Sequence, residues 1–278
     1  MEVEITRTTP IYRSPESTGV FIQWVVKHPP VSGVGAARLE RSGSPEGPFE
    51  LVVDNINTYH YFDKFRDTPA PGLGLTRENL NFLSLAREVY YRLTVLGADG
   101  SSARVVREVG DELPKRQSLL KRKIQRDIRV GFKFNGVPIA VLKRKHWGIR
   151  CVDCFDLLTK RVTTSKCNTC FGTGFEGGYY EPVRISGRIS VKNVQTDITV
   201  QGKADINQTQ LTMLDFPILE DDDIVVHLNT NQRYIVKHVT RTELRTVPVH
   251  QKILLSELER SSVEYRLIVN KDHLPVIY

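Results

Sequence analysis

The whole cysteine complement of this 278-residue chain falls in two Cys-x-x-Cys pairs, Cys151/Cys154 and Cys167/Cys170, with twelve residues between them. Two such hooks offer four thiolates to one tetrahedral Zn²⁺, so the spacing predicts a zinc-tied knob over residues 148–180. Four protein ligands leave no open coordination position. That points to a structural ion, one per chain, and away from metal catalysis. No cysteine is left over for a disulfide scaffold, so synthesis in a reducing cytosol is expected. The knob lies mid-chain and is therefore a module of something larger.

On either side the sequence is mainly β. Short strands are expected at 20–26, 36–42, 48–54, 88–97 and 103–109, separated by Gly, Pro and Ser turns. After Pro114, residues Leu119, Leu120, Ile124 and Ile128 recur at helical spacing, predicting an amphipathic helix over 115–131. Asn135-Gly136 then predicts a hairpin within 132–150. Strands return at 184–194, 198–214 and 263–268, with a hairpin over 223–244 turned at Asn229–Asn231 and a strand or strand-helix mix at 250–260. Three parts follow: a β-sandwich over 1–112, a basic helix, hairpin and zinc segment over 113–182, and a small β-barrel over 183–278. No apolar run approaches the roughly 18–20 residues of a membrane helix, and no membrane partner is expected. The opening MEVEITRTTP lacks the layout of a secretory signal.

The net charge of +7 is concentrated. Between Pro114 and Arg150 stand twelve Lys or Arg, opposed by Asp127 alone. Ten of them form a candidate contact surface: Lys115, Arg116, Lys121, Arg122, Lys123, Arg126, Arg129, Lys143, Arg144 and Lys145. Such a block could meet a phosphate backbone, dock on an acidic protein ring, or simply face solvent. Aromatic residues for stacking bases are sparse here. The acidic run Glu220–Asp223 reads as a charged turn, since the spaced carboxylates and glycine hinge of a Ca²⁺ loop are missing. No His-Glu-x-x-His, Gly-x-Ser-x-Gly, Walker or dinucleotide motif occurs, and the seven histidines are scattered singly. No enzyme is expected.

Three resemblances sharpen this reading. Trp24 in the second strand and Tyr91 in YYRLTVLGADGSSARV resemble the core Trp and Tyr of fibronectin type III domains. The segment between Phe65 and Arg87 departs from that family and reads as an inserted loop with a short helix at 76–86. Cys167-Asn-Thr-Cys170-Phe-Gly172-Thr-Gly174 resembles the zinc repeats of DnaJ-type chaperones, without their His-Pro-Asp domain. Finally, CVDCFDLLTKRVTTSKCNTCFGTGFEGGYYEPV is similar to zinc segments of tailed-bacteriophage virion proteins. The stretches Asp223–Val226, Arg233–Val236, His250-Gln251 and Tyr265–Leu267 are similar to phage head-closure or head-tail connector proteins. This resemblance implies a structural neck subunit, made in the host cytoplasm and localised in the virion. It implies a cyclic homo-oligomer between portal or adaptor ring and tail proteins, with packaged DNA in the channel. The alternative is a zinc-ribbon nucleic-acid-binding regulator.

Overall fold

The computed structural model describes residues 1–11, 19–64, 89–110, 115–191, 195–199, 202–206, 209–245, 247–270 and 274. The first strands in chain order are β1 (Glu2–Ile11), β2 (Gly19–Lys27), β3 (Val34–Ser42), β4 (Glu50–Ile56), β5 (His60–Asp63), β6 (Tyr90–Gly97) and β7 (Ser102–Glu108). Next come helix α1 (Lys115–Asn135), β8 (Val137–Leu142), β9 (Phe155–Asp156), β10 (Arg161–Val162) and β11 (Val183–Val191). The chain continues with β12 (Gln195–Thr199), β13 (Gly202–Ile206), β14 (Thr209–Leu214), β15 (Ile224–His227), β16 (Arg233–Leu244) and β17 (Val247–Glu257). Two compact units result. One holds Met1–Glu112, His146–Ser165 and Thr173–Glu176; the other holds Leu113–Lys145, Lys166–Gly172 and Gly177–Tyr278.

In the first unit, β1-β2-β5 form a three-stranded antiparallel sheet and β4-β3-β6-β7 a four-stranded one. The period-2 pattern of a half-buried strand is plain in β6, where Tyr91, Leu93 and Val95 are buried between less buried neighbours. Trp24 and Phe21 on β2 are buried too. The two sheets are joined by a buried polar node. Asp63 on β5 accepts a 2.7 Å bond from Arg41 on β3 and a 2.6 Å bond from the Tyr91 hydroxyl on β6. Burial pushes the Tyr91 phenol far above its ordinary range, so it stays a donor to the carboxylate. β1 and β5 lie outside the strands expected from the sequence. The inserted loop and helix expected between Phe65 and Arg87 fall outside the described residues.

The second unit contains a closed barrel, β11-β14-β17-β16-β15-β8. Its interior comes from alternate positions: Val183 and Ile185 on β11, Leu211 and Met213 on β14, Val249, Ile253 and Leu255 on β17. β8 and Ile224–Val226 of β15 read as unbroken apolar runs because both their faces are covered. Ala140, Leu142, Ile224 and Val226 join a further buried cluster with Tyr179, Leu228 and Leu267. Gln251 is buried but fully used. Its Oε1 accepts the Leu219 N–H at 3.0 Å, while Nε2 donates to the carbonyls of Leu214 and Pro217 at 3.1 and 2.8 Å. That pins the β14–β15 connection to the barrel.

Several sequence expectations change. The barrel does not begin at 183, because β8 from before the cysteine segment pairs with both β11 and β15. No hairpin turns at Asn135-Gly136; α1 runs to Asn135 and Gly136 ends it. The Gly136 N–H bonds the Phe132 carbonyl at 2.9 Å, and a Cβ there would sit 2.3 Å from that oxygen. The expected strand 198–214 is three pieces, β12, β13 and β14. Residues 263–268 are not a strand: Val263–Arg266 form a 3-10 turn, with the Arg233 guanidinium 4.8 Å from the Tyr265 ring centre.

The node at Asp63 yields a test. Asp63→Ala strands Arg41 without its carboxylate in a buried site and is expected to cost about 3–5 kcal/mol. Urea unfolding read by near-ultraviolet circular dichroism, which follows Trp24 and Tyr91, checks it. Tyr91→Phe, which loses one hydrogen bond, is expected to cost less.

Candidate metal centre

The four cysteine Sγ atoms lie within 4.8 Å of one another, all four side chains are buried, and none is in a disulfide. Four thiolates on one tetrahedral ion at roughly 2.3 Å would stand about 3.8 Å apart, a spacing that a cluster this tight can meet. The soft, buried, all-sulfur donor set fits a single structural metal ion.

Local folding explains the convergence. In each hook the residue after the second cysteine donates back to the first: Phe155 N–H to the Cys151 carbonyl at 3.1 Å, Phe171 N–H to the Cys167 carbonyl at 2.9 Å. Each Cys-x-x-Cys is thereby wound into one turn that points both sulfurs the same way. β9 and β10 pair as a short ribbon after the first hook, and Thr163 donates its N–H and hydroxyl to the Cys154 carbonyl. After the second hook the chain doubles back through Phe171, Gly172, Gly174, Gly177 and Gly178, all at positive φ. At Gly178 a Cβ would lie 2.5 Å from the Cys170 carbonyl oxygen, so only glycine fits. Arg150, next to Cys151, is stacked between the rings of Phe155 and Phe175, 4.3 Å from each centre, and donates to the Val31 carbonyl at 2.9 Å. The sequence marked the cysteines and glycines but not this arginine, whose stacking partners lie up to twenty-five residues away.

The ten cations of the expected contact surface do not share one role. Lys121 is buried, its ammonium 3.6 Å from buried Asp215, and neighbouring Gln125 donates to the Val249 carbonyl at 3.4 Å. Lys121 and Gln125 therefore lie on the side of α1 that faces the barrel, and Ile124 and Ile128 of the expected stripe are half-buried. Leu119 and Leu120, expected to be the buried stripe, are exposed instead. Lys143 is also buried, donating to the Ile218 carbonyl at 3.1 Å and to Glu220 at 2.8 Å. Arg144 pairs with Asp222. The Lys145 ammonium stands 5.8 Å from the Tyr180 ring centre, and Arg129 is half-buried. Arg116, Arg122, Lys123 and Arg126 are exposed, while the side chain of Lys115 lies outside the described set. Lys121, Lys143 and Arg144 thus leave the contact surface and enter the ion pairs that hold this unit.

The acidic run is a turn, as expected, but its last member is a core residue. Asp223 accepts the N–H groups of Arg144 and Glu220 at 2.7 and 2.8 Å, with the Lys143 ammonium 3.8 Å away. Burial pushes its carboxyl up to about 6, while Lys143 and the two N–H groups favour the charged form. The chain matches no protein-family model and no curated protein.

Two outcomes are expected. Metal analysis should give one ion per chain for the native protein and a clear loss for Cys167→Ser. The melting temperature should fall with it, because a site of this kind contributes on the order of 10–16 kcal/mol of metal binding to folding. For Asp223, the folded-state value lies above the unfolded value of about 3.9. The native state therefore holds the proton more tightly, and this group's contribution to stability falls as pH rises from about 4 to about 6. Asp223→Asn should remove that slope from a plot of melting temperature against pH. It should also cost about 1–3 kcal/mol, since an amide accepts only one of the two N–H bonds.

Proposed function

We propose that this chain is a structural virion protein of a tailed bacteriophage, a neck subunit that assembles as a ring between portal and tail around the DNA channel. It works by assembly and carries out no turnover. The observation that carries the reading is the outward display of apolar side chains by ordered elements: Phe134 of α1 is 82% exposed, and Val152 and Leu158 of the cysteine loop are 92% and 94% exposed. Apolar groups held outward by ordered elements support a reading in which other proteins cover them.

Other features support the parts of the proposal. The strand orders β1-β2-β5 and β4-β3-β6-β7, with Trp24 in one sheet and Tyr91 in the other, favour the fibronectin type III-like assignment of the first unit. The four-thiolate cluster favours Zn²⁺, held by Cys151, Cys154, Cys167 and Cys170. The closed barrel and the phage-like stretches Asp223–Val226, Arg233–Val236 and His250-Gln251 on its strands favour the connector class; Tyr265–Leu267, expected as a strand in that resemblance, lies outside the barrel. The partners are further copies of the chain, a portal or adaptor ring and tail proteins, with packaged DNA in the channel; the location is the virion.

The regulator reading rests on the exposed Arg116, Lys123 and Arg126 of α1. Mass photometry of the full chain, alone and with a portal ring, separates the two. Ring-sized assemblies or capture by the portal are expected. A monomer that ignores the portal, yet binds duplex DNA with log affinity falling steeply against log salt, would establish the regulator instead.

A further inference from the structure

The side of β8 and β15 turned away from the barrel interior is covered by the end of the chain. Ala140 stands opposite Val226 there, and Leu142 opposite Ile224. With Tyr179 and Leu228 they form one buried cluster that takes in Leu267, and Val269 and Phe171 pack against it. Ile268, between Leu267 and Val269, is 89% exposed, so the tail lies across the cluster as a strap with one side in and one side out. Phe171 directly follows the last cysteine. The strap and the second cysteine hook, far apart in sequence, thus share one apolar cluster.

The strap begins on the barrel. Arg233 donates to the Glu264 carbonyl at 3.3 Å and stacks on Tyr265. From Arg266 onward the hold passes to the hook. The Arg266 guanidinium donates to Asn168 Oδ1 at 3.0 Å, and Asn168 lies between Cys167 and Cys170. The hook also places the ring that Leu267 shares a cluster with. The Gly177 N–H bonds the Thr169 carbonyl at 3.1 Å. A Cβ at Gly178 would stand 2.5 Å from the Cys170 carbonyl oxygen and 2.9 Å from the Phe171 ring, so the backbone there lies directly on the hook. Tyr179 follows, its ring centre 6.5 Å from that of Phe171. Asn168, Phe171 and Tyr179 are therefore where they are because the Cys167–Cys170 turn is wound.

From these contacts we infer that residues 263–269 are a metal-dependent latch: the wound Cys167–Cys170 turn holds the C-terminal strap over β8 and β15, and unwinding of that turn releases it. One backbone bond, from the Phe171 N–H to the Cys167 carbonyl, closes the turn. A turn so short is ordered by ligation of its thiolates, because metal binding at such a site is coupled to folding. Without it Asn168 and Phe171 lose their fixed places, and the strap loses the partner of Arg266 and part of the cluster under Leu267. Coupling of this kind is reciprocal, so a docked strap also slows loss of the metal. The latch rests on the metal-site reading and is independent of the neck proposal.

Hydrogen exchange read by mass spectrometry on the full chain tests it, with Zn²⁺ bound and after its removal by a chelator. Residues 263–270 should exchange at least about tenfold faster without the ion and recover when Zn²⁺ is returned, while β14 and β17 keep their protection. The reverse arm starts from the strap and follows the rate of Zn²⁺ loss to excess chelator. Arg266→Ala, at an exposed position, should speed that loss several-fold with Zn²⁺ stoichiometry unchanged. Leu267→Gln should speed it by at least about tenfold, because a buried apolar anchor of the shared cluster is lost. Strap exchange that ignores the ion, or Zn²⁺ loss at the native rate in both variants, overturns the latch and leaves the metal site standing. Protection lost throughout the barrel on chelation also overturns it, since the ion would then hold the whole unit and not the strap. A chain that takes up no Zn²⁺ removes the metal reading and the latch together.

Discussion

β8 closes the barrel, and much of the second unit depends on that one strand. It bonds β15 along one edge, from Leu142 opposite Ile224 to Ile139 opposite His227, and β11 along the other, from Val141 opposite Val183 to Val137 opposite Gly187. Without it β11 and β15 would each expose a row of unpaired N–H and C=O groups, and the sheet would have two open edges. Everything near β8 serves to place it. Gly136 stops α1 one residue before it begins. Lys143 and Arg144, immediately after it, are caught by Glu220, Asp222 and Asp223 from the turn that leads into β15. The strand is thus fixed at its start by helix termination and at its end by buried charge.

Those charges show why a count of cations says little about a surface. The basic block is continuous in sequence, yet the fold divides it. Lys121, Lys143 and Arg144 are spent within the second unit against Asp215, Glu220 and Asp222. Removing one partner of the buried pairs would leave an uncompensated charge, which is far costlier than losing a surface pair. What α1 offers to a partner is the remainder: a few exposed cations among apolar side chains. That mixture suits a protein surface better than a phosphate backbone, where apolar groups would gain little.

The cysteine loop combines a rigid base with an exposed apolar tip. A short loop cannot bury enough apolar area to hold itself, so the buried cysteine cluster, the glycine turns and the stacking of Arg150 serve instead. Once the base is fixed, Val152, Leu157 and Leu158 can be held in water without collapsing onto a core. This is a sound arrangement for a contact element, because the ordering entropy is met by folding and not at the moment of association.

The sequence alone determined the features that depend on near neighbours. Cysteine spacing marked the metal hooks because a Cys-x-x-Cys turn is closed by a bond spanning four residues. Strand composition between turn residues marked β6 and β11, and the run at 223–244 marked the β15–β16 hairpin, because strand propensity and turn chemistry are local. Other features needed partners distant in the chain. Asn135-Gly136 is a good hairpin turn and an equally good helix stop, and only the preceding helix decided between them. Leu119 and Leu120 resembled a buried stripe, but the barrel supplied Asp215 and the Val249 carbonyl, and those drew Lys121 and Gln125 inward. The place of β8, the burial of Asp223 and the 3-10 turn at Val263–Arg266 were likewise settled by tertiary packing. Periodicity says that a segment has faces; which face is buried depends on the chemistry of whatever it meets.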